Sequence, residues 1–154
     1  MNNLNDSRIL VGVDGSEASI DALRRAARIA EAFDAPLEAI TTWDFPVALG
    51  VYYPADNWSP ENDARQILSA AVDQAFGEAQ PAKLTRTTLQ GPPARVLIEQ
   101  SEHAAMLVLG SRGHGGFTGL LLGSVSAACA EHAHCPVLIT HGAGAEGTAA
   151  NMEE

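Results

Sequence analysis

This chain of 154 residues has a single lysine, Lys83. Nine basic residues stand against nineteen acidic ones, giving a formal net charge of −10 at pH 7. Sequence-independent contact with nucleic acid or an anionic bilayer depends on clustered cations, so this composition argues against both. Cysteine is nearly as scarce: Cys129 and Cys135 are too few for a disulfide framework and match the reduced thiols of a cytoplasm. No apolar stretch approaches the roughly 20 residues that cross a bilayer. The first twenty residues lack a basic region followed by an apolar run, the mark of a secretory signal, and a cytoplasmic protein is expected. Small ligands and other proteins remain as partners.

What is present fits a folded globule, with 46% of residues apolar and 18% charged, far from the composition of disorder. A chain this long fits one domain, residues 1–154, with an ordered core over about 7–142 and a small, acidic closing stretch expected to be flexible. The run Ile9 to Val13 predicts a buried parallel strand broken by Asp14-Gly15-Ser16. Ile20, Leu23, Ala27 and Ala30 recur at helical spacing, predicting a helix from Ser16 or Glu17 to Phe33, supported by Asp21 paired with Arg24 and Arg25. Leu37 to Trp43 predicts a second strand, less apolar for its Thr41-Thr42 pair.

From Asp44 to Pro60, three prolines, two tyrosines and a tryptophan fall without periodicity, as in a long loop. A second helix comes next, with Ser59 as N-cap, Pro60 at its first position, and a buried stripe of Ala64, Ile67, Leu68, Ala71, Val72, Ala75 and Phe76. Lys83 to Leu89 predicts a third strand at a sheet edge. Ala94 to about His103 predicts a third helix, with Leu97 and Ile98 inward. Met106 to Leu109 predicts a fourth strand, running into Gly110-Ser111-Arg112-Gly113-His114-Gly115-Gly116. Ser124 to Ala133 predicts a fourth helix, and Val137 to Thr140 or His141 a fifth strand begun at Pro136.

Alternating strands and helices imply a doubly wound α/β fold: a five-stranded parallel sheet in the order 3-2-1-4-5, with helices on both faces. Ligands of such sheets bind outside the carboxyl ends of the strands where the winding reverses, between the first and fourth. Both unusual loops of the sequence come directly after those two strands. A loop poor in side chains lets backbone N–H groups converge on an oxygen-rich group, and a helix N-terminus adds its partial positive charge, so phosphate is the natural guest. Gly110 and Gly113 would allow close approach and the positive backbone angles of the turn. Gly123 would let the fourth helix start against the ligand, and Ser124 and Ser126 could donate hydroxyl hydrogen bonds.

Gly110, Gly113, Gly123 and Ser124, with the nine residues His114 to Leu122 between them, form the pattern G-x-x-G, nine residues, then G-S. In this the chain resembles the nucleotide-binding branch of the universal stress protein family. The resemblance covers nearly the whole chain: Val13-Asp14-Gly15-Ser16 is similar to the family's opening motif and Cys135-Pro136-Val137-Leu138 to its closing strand. It implies an adenine nucleotide α-hydrolase-like fold holding ATP, with any Mg²⁺ held through the phosphates. Position by position it implies Asp14 on a ribose hydroxyl, Val13 beside the base and Thr42 meeting the adenine through its backbone. Gly110, Arg112, Gly113, Gly123, Ser124, Val125 and Ser126 would surround the ribose and phosphates. It further implies a homodimer and a regulatory role in stress response with an unknown protein partner; the fifth strand, an apolar edge that Pro136 protects only at its start, is the surface expected to pair with a second copy. Relatives often carry aspartate before the fourth strand, where this chain has Ala105.

Catalysis has little to stand on. The G-x-x-x-x-G-K-S/T arrangement is absent, and Arg112, His114 and Asp14 are a thin set for phosphoryl transfer, so binding with at most slow hydrolysis is expected. The alternatives are a nucleotide-free dimeric module and a slow ATPase. Cys129, His132, His134 and Cys135 match no zinc spacing, and no metal site is expected.

Overall fold

The computed structural model describes residues 7–46, 58–112 and 122–142. Most of the aromatic loop (47–57), the stretch 113–121 with Gly113 and His114, and the acidic tail lie outside the described residues. The elements are β1 (Ile9–Gly12), α1 (Glu17–Ala32), β2 (Leu37–Trp43), α2 (Pro60–Phe76), β3 (Leu84–Gln90), α3 (Pro93–Ser101), β4 (Met106–Gly110), α4 (Ser124–His132) and β5 (Val137–Thr140). The strands form one parallel sheet in the order β3-β2-β1-β4-β5, the expected doubly wound order. Ile9 of β1 lies opposite Leu37 of β2 on one side and Met106 of β4 on the other.

Successive strand residues point to opposite faces, which is why β1 and β4 are apolar without alternation. Val11 and Val108 join the core under α1 and α2, with Leu23, Leu68 and Val72. Leu10 and Leu107 join the core under α3 and α4, with Ile40, Leu97 and Cys129. Each buried Leu, Ile or Val contributes about 1.5–3 kcal/mol relative to exposure.

The caps arise from local chemistry. Ser16 caps α1 by accepting the Ser19 N–H, and Ser59 caps α2 by accepting the Asn62 N–H, with Pro60 next. After α1 the chain turns at Asp34, whose φ of 51° is unusual for a residue with a side chain. Lys83 Nζ donates to the Asp34 carboxylate at 2.7 Å and to its carbonyl at 3.2 Å, and this ammonium lowers the Asp34 carboxyl below its ordinary range.

Several details differ from the sequence expectation. β1 ends at Gly12, and β3 is displaced one residue, to Leu84–Gln90. Asp21 pairs with Arg25, but Arg24 donates to the carbonyls of Gln74 and Ala75, tying α1 to α2 across the sheet face. Ile67 is 41% exposed, outside the stripe expected to be buried. At the amino ends of the strands Arg8 donates to the Glu38 carboxylate, to Gln100 Oε1 at 3.1 Å and to the His103 carbonyl at 2.9 Å. That clamp joins β1, β2 and α3 and leaves the carboxyl ends open for a site. No helix among the described residues is long and apolar enough to cross a membrane.

Candidate functional site

The turn after β1 is strapped to its neighbours. Val13 N–H donates to the Ile40 carbonyl at 2.8 Å, and the buried Thr41 hydroxyl donates to the Val13 carbonyl at 2.8 Å. The exposed Asp14 then accepts from the Ser16 N–H at 2.9 Å and the Ser16 hydroxyl at 2.5 Å, both on Oδ1. The Asp14 N–H in turn donates to Ser19 Oγ at 3.3 Å. Gly15, with φ 85°, makes the reversal that lets Asp14 and Ser16 face each other.

The second turn leaves β4 at Gly110. Ser111 N–H donates to the Thr140 carbonyl at 2.8 Å, continuing the β4–β5 pairing, while the Ser111 carbonyl accepts the Gly123 N–H at 2.7 Å and the Ser126 hydroxyl at 3.2 Å. One buried serine thus aims the start of α4 at the end of β4. Gly123, the residue before the helix, brings no capping side chain, so the first turn of α4 opens toward the space beside it with the positive end of its dipole.

The two turns meet at one cleft of about 380 Å³, which falls in the size range of small-molecule sites. Val13 and Asp14 line it just past β1, Thr42 from β2, Gly110 from the end of β4 with Arg112 just beyond it, and Gly123, Ser124, Val125 and Ser126 from the start of α4. Every residue singled out for the site that lies among the described residues is in this lining; Gly113 lies outside them.

The reason for glycine is not the one expected at Gly110. Its backbone is not in the positive-φ region, which among the described glycines belongs to Gly15, Gly77 and Gly91. A Cβ at Gly110 would stand 2.9 Å from the Ala18 carbonyl carbon and oxygen, so glycine there lets β4 end against the first turn of α1. Close approach is needed, but to a helix backbone. At Gly123 a Cβ would meet nothing nearer than the Ser111 oxygen at 3.5 Å.

Sequence reasoning missed part of the lining. Thr41 and Ser19 reach it from β2 and α1, and Ile67, Pro93 and Leu97 from α2 and α3. A signal existed for Thr41, since a threonine pair in an otherwise apolar strand asks for a polar partner; Ile67 falls at a spacing that reads as core. The Cys129–Cys135 region holds no candidate: among the described residues no three His, Cys, Asp or Glu side chains converge on a metal position. Burial, with Cys135 adding to it, pushes the Cys129 thiol up to about 11, and burial also raises Cys135.

Known proteins resemble this chain in sequence and in fold. Residues 7–141 match the family model described as the universal stress protein family. Universal stress protein Rv2623 of Mycobacterium tuberculosis is 37% identical over 134 residues, covering 85% of this chain and 44% of that protein. Universal stress protein MJ0531 of Methanocaldococcus jannaschii is 32% identical, covering 86% of this chain and 80% of that protein. The chain spans about half the length of the mycobacterial relatives it matches. Among solved structures, a universal stress protein in complex with cAMP is 32% identical, with a TM-score of 0.65 over 88% of this chain and 97% of that one. This chain belongs to the universal stress protein family.

Proposed function

We propose that this chain binds an adenine nucleotide, ATP foremost, across the carboxyl ends of β1 and β4, and serves a regulatory role in stress response with little or no hydrolysis. The observation that carries the reading is the convergence of the Asp14 turn and the open N-terminus of α4 on one cleft. One end of that cleft offers a carboxylate for a sugar hydroxyl; the other offers helix amides, the Ser124 hydroxyl and Arg112 for phosphate oxygens, while the Ser126 hydroxyl holds the Ser111 carbonyl. The 32% identical relative held with cAMP supports the same class of ligand.

In this reading Asp14 accepts a hydrogen bond from the ribose, Val13 and the Thr42 backbone meet the adenine, and the segment from Gly110 to Gly113, with Gly123 to Ser126, surrounds the phosphates. Any Mg²⁺ rides on the phosphates. Among the described lining residues Asp14 is the one acid and Arg112 the one arginine or lysine. That set favours holding a nucleotide over transferring its phosphoryl group. We further propose that residues 1–154 act as one domain in the cytoplasm and pair with a second copy through β5, an edge strand on which Leu138 is 37% exposed.

Isothermal titration with ATP tests the reading. Saturable binding of one ATP per chain is expected, weakened at least tenfold by Asp14→Ala. No binding at millimolar ATP would refute it.

A further inference from the structure

The cleft has an apolar part that a phosphate site does not require. Ile67, about two turns into α2, is 41% exposed, and among the described residues it is the one exposed large apolar side chain that also lines the cleft. The others, Phe33, Phe45, Trp58 and Leu138, lie elsewhere. Its neighbours in the helix, Ala64, Leu68 and Ala71, are buried against the sheet, so Ile67 sits at the edge of that stripe.

Two apolar walls result, from opposite faces of the sheet. Helix α2 packs with α1 on the face of Val11 and Val108, and it makes its sheet contacts with β2 and β3. On the other face Leu97 of α3 packs with Leu10 and Ile40. Both Ile67 and Leu97 nevertheless line the same cleft, with Pro93 one turn before Leu97, Val13 just past the end of β1 and Ile40 in the middle of β2. Polar side chains line it too: Asp14 just past β1, Ser19 of α1, Thr41 and Thr42 of β2, Arg112 just past the end of β4, and Ser124 and Ser126 in the first turn of α4. Ile67 and Leu97 thus bring apolar surface from two helices to a cleft that also holds Asp14, Thr41 and Thr42 beside β1 and β2 and Arg112 and Ser124 beyond β4.

We infer that Ile67 of α2 and the Pro93–Leu97 turn of α3 grip the two sides of a flat apolar group, the base of the bound nucleotide, and that Ile67 is a specificity-determining residue for it. The inference rests on the nucleotide reading above and adds α2 and α3 to the site. An apolar side chain left open to water gains free energy when a ring covers it, and that gain is absent for a ligand with no base.

The test is titration of ATP into the unchanged chain and into Ile67→Ala, Ile67→Leu and Ile67→Asn, with a thermal melt of each. Because Ile67 is largely outside the core, all four should melt at closely similar temperatures. Ile67→Ala should bind ATP about fivefold more weakly. Ile67→Leu, which restores apolar area, should fall within about twofold of the unchanged chain, and Ile67→Asn, similar in size but polar, should be weaker than Ile67→Ala. A merely structural role would move the melting temperature and leave the order of affinities unrelated to apolar area. Ile67→Ala or Ile67→Asn binding as tightly as the unchanged chain would overturn the inference alone. An unchanged chain that takes up no ATP would overturn the nucleotide reading and this inference with it.

Discussion

The Ser16 hydroxyl donates to Asp14 Oδ1 at 2.5 Å while accepting the Ser19 N–H of α1 at 3.2 Å. One side chain thus caps a helix and fixes the carboxylate at the mouth of the cleft. Ser16→Ala is expected to remove both. Loss of the cap should cost about 1 kcal/mol, a fall of about 2–4 °C in melting temperature for a chain of this size. ATP affinity should fall as well, because the Asp14 carboxylate loses the group that orients it. Ser16→Thr retains the hydroxyl and should restore most of both. Thermal melts paired with titrations report the two effects separately, and Ser16→Ala with native stability would contradict the capping geometry.

The two glycines of the cleft differ in what a methyl group would meet. Gly110→Ala places Cβ against the Ala18 backbone at 2.9 Å, which only a shift of β4 or α1 relieves. A loss of about 1–3 kcal/mol is expected. Gly123→Ala finds 3.5 Å or more of clearance and should cost less than about 1 kcal/mol, yet it adds bulk at the N-terminus of α4. Denaturant titration should therefore rank Gly110→Ala well below Gly123→Ala, whereas ATP affinity should drop in Gly123→Ala despite its near-native fold. The reverse stability order would contradict the packing at Gly110.

The same contrast separates what was legible in the sequence from what was not. β1 and β4 announced themselves because both their faces are buried, so every residue is apolar and no register is needed to see them. Ser59-Pro60 marked the start of α2 through local chemistry alone. The turn residues of the site were legible for the same reason, since glycine, aspartate and serine are informative where the backbone must bend. Gly110 was found for its position, but the helix that requires it to be glycine comes from near the start of the chain, at Ala18, and no local pattern encodes that contact. Ile67 was hidden differently: helical spacing places it beside Ala64, Leu68 and Ala71, and only the position of α2 over the ends of the strands turns it toward the cleft. Arg24 likewise had a partner within its own helix on paper, Asp21, and a better one on α2.

Cys129 gives a pH signature. Its folded thiol is pushed up to about 11 by burial, above an ordinary value of 9.0. Between those values the unfolded chain sheds a proton that the folded chain keeps, so rising pH favours unfolding. The contribution is fully present below pH 9.0 and is lost up to about pH 11, with a slope of at most about 1.4 kcal/mol per pH unit. Cys129→Ala removes this component whatever its cost in packing, so the difference in stability between the two proteins should narrow from pH 9 to 11. A constant difference across that range would contradict it.

The Arg8 clamp predicts a stability effect without a binding effect. Arg8 and the Glu38 carboxylate are both mostly buried, and Glu38 also accepts the Thr87 hydroxyl at 2.8 Å. Arg8→Ala leaves that carboxylate short of its partner and should cost about 2–3 kcal/mol. The clamp lies at the amino ends of the strands, far from the cleft, so ATP affinity of the folded fraction should be unchanged. A matching loss of affinity would show that the two ends of the sheet are coupled.

Native mass spectrometry of the purified chain, before and after addition of millimolar ATP, tests the central claim most directly. A species heavier by one ATP per chain is predicted, strongly reduced in Gly123→Val. A spectrum holding only the unliganded mass, or an ATP adduct equally abundant in Gly123→Val, would contradict it.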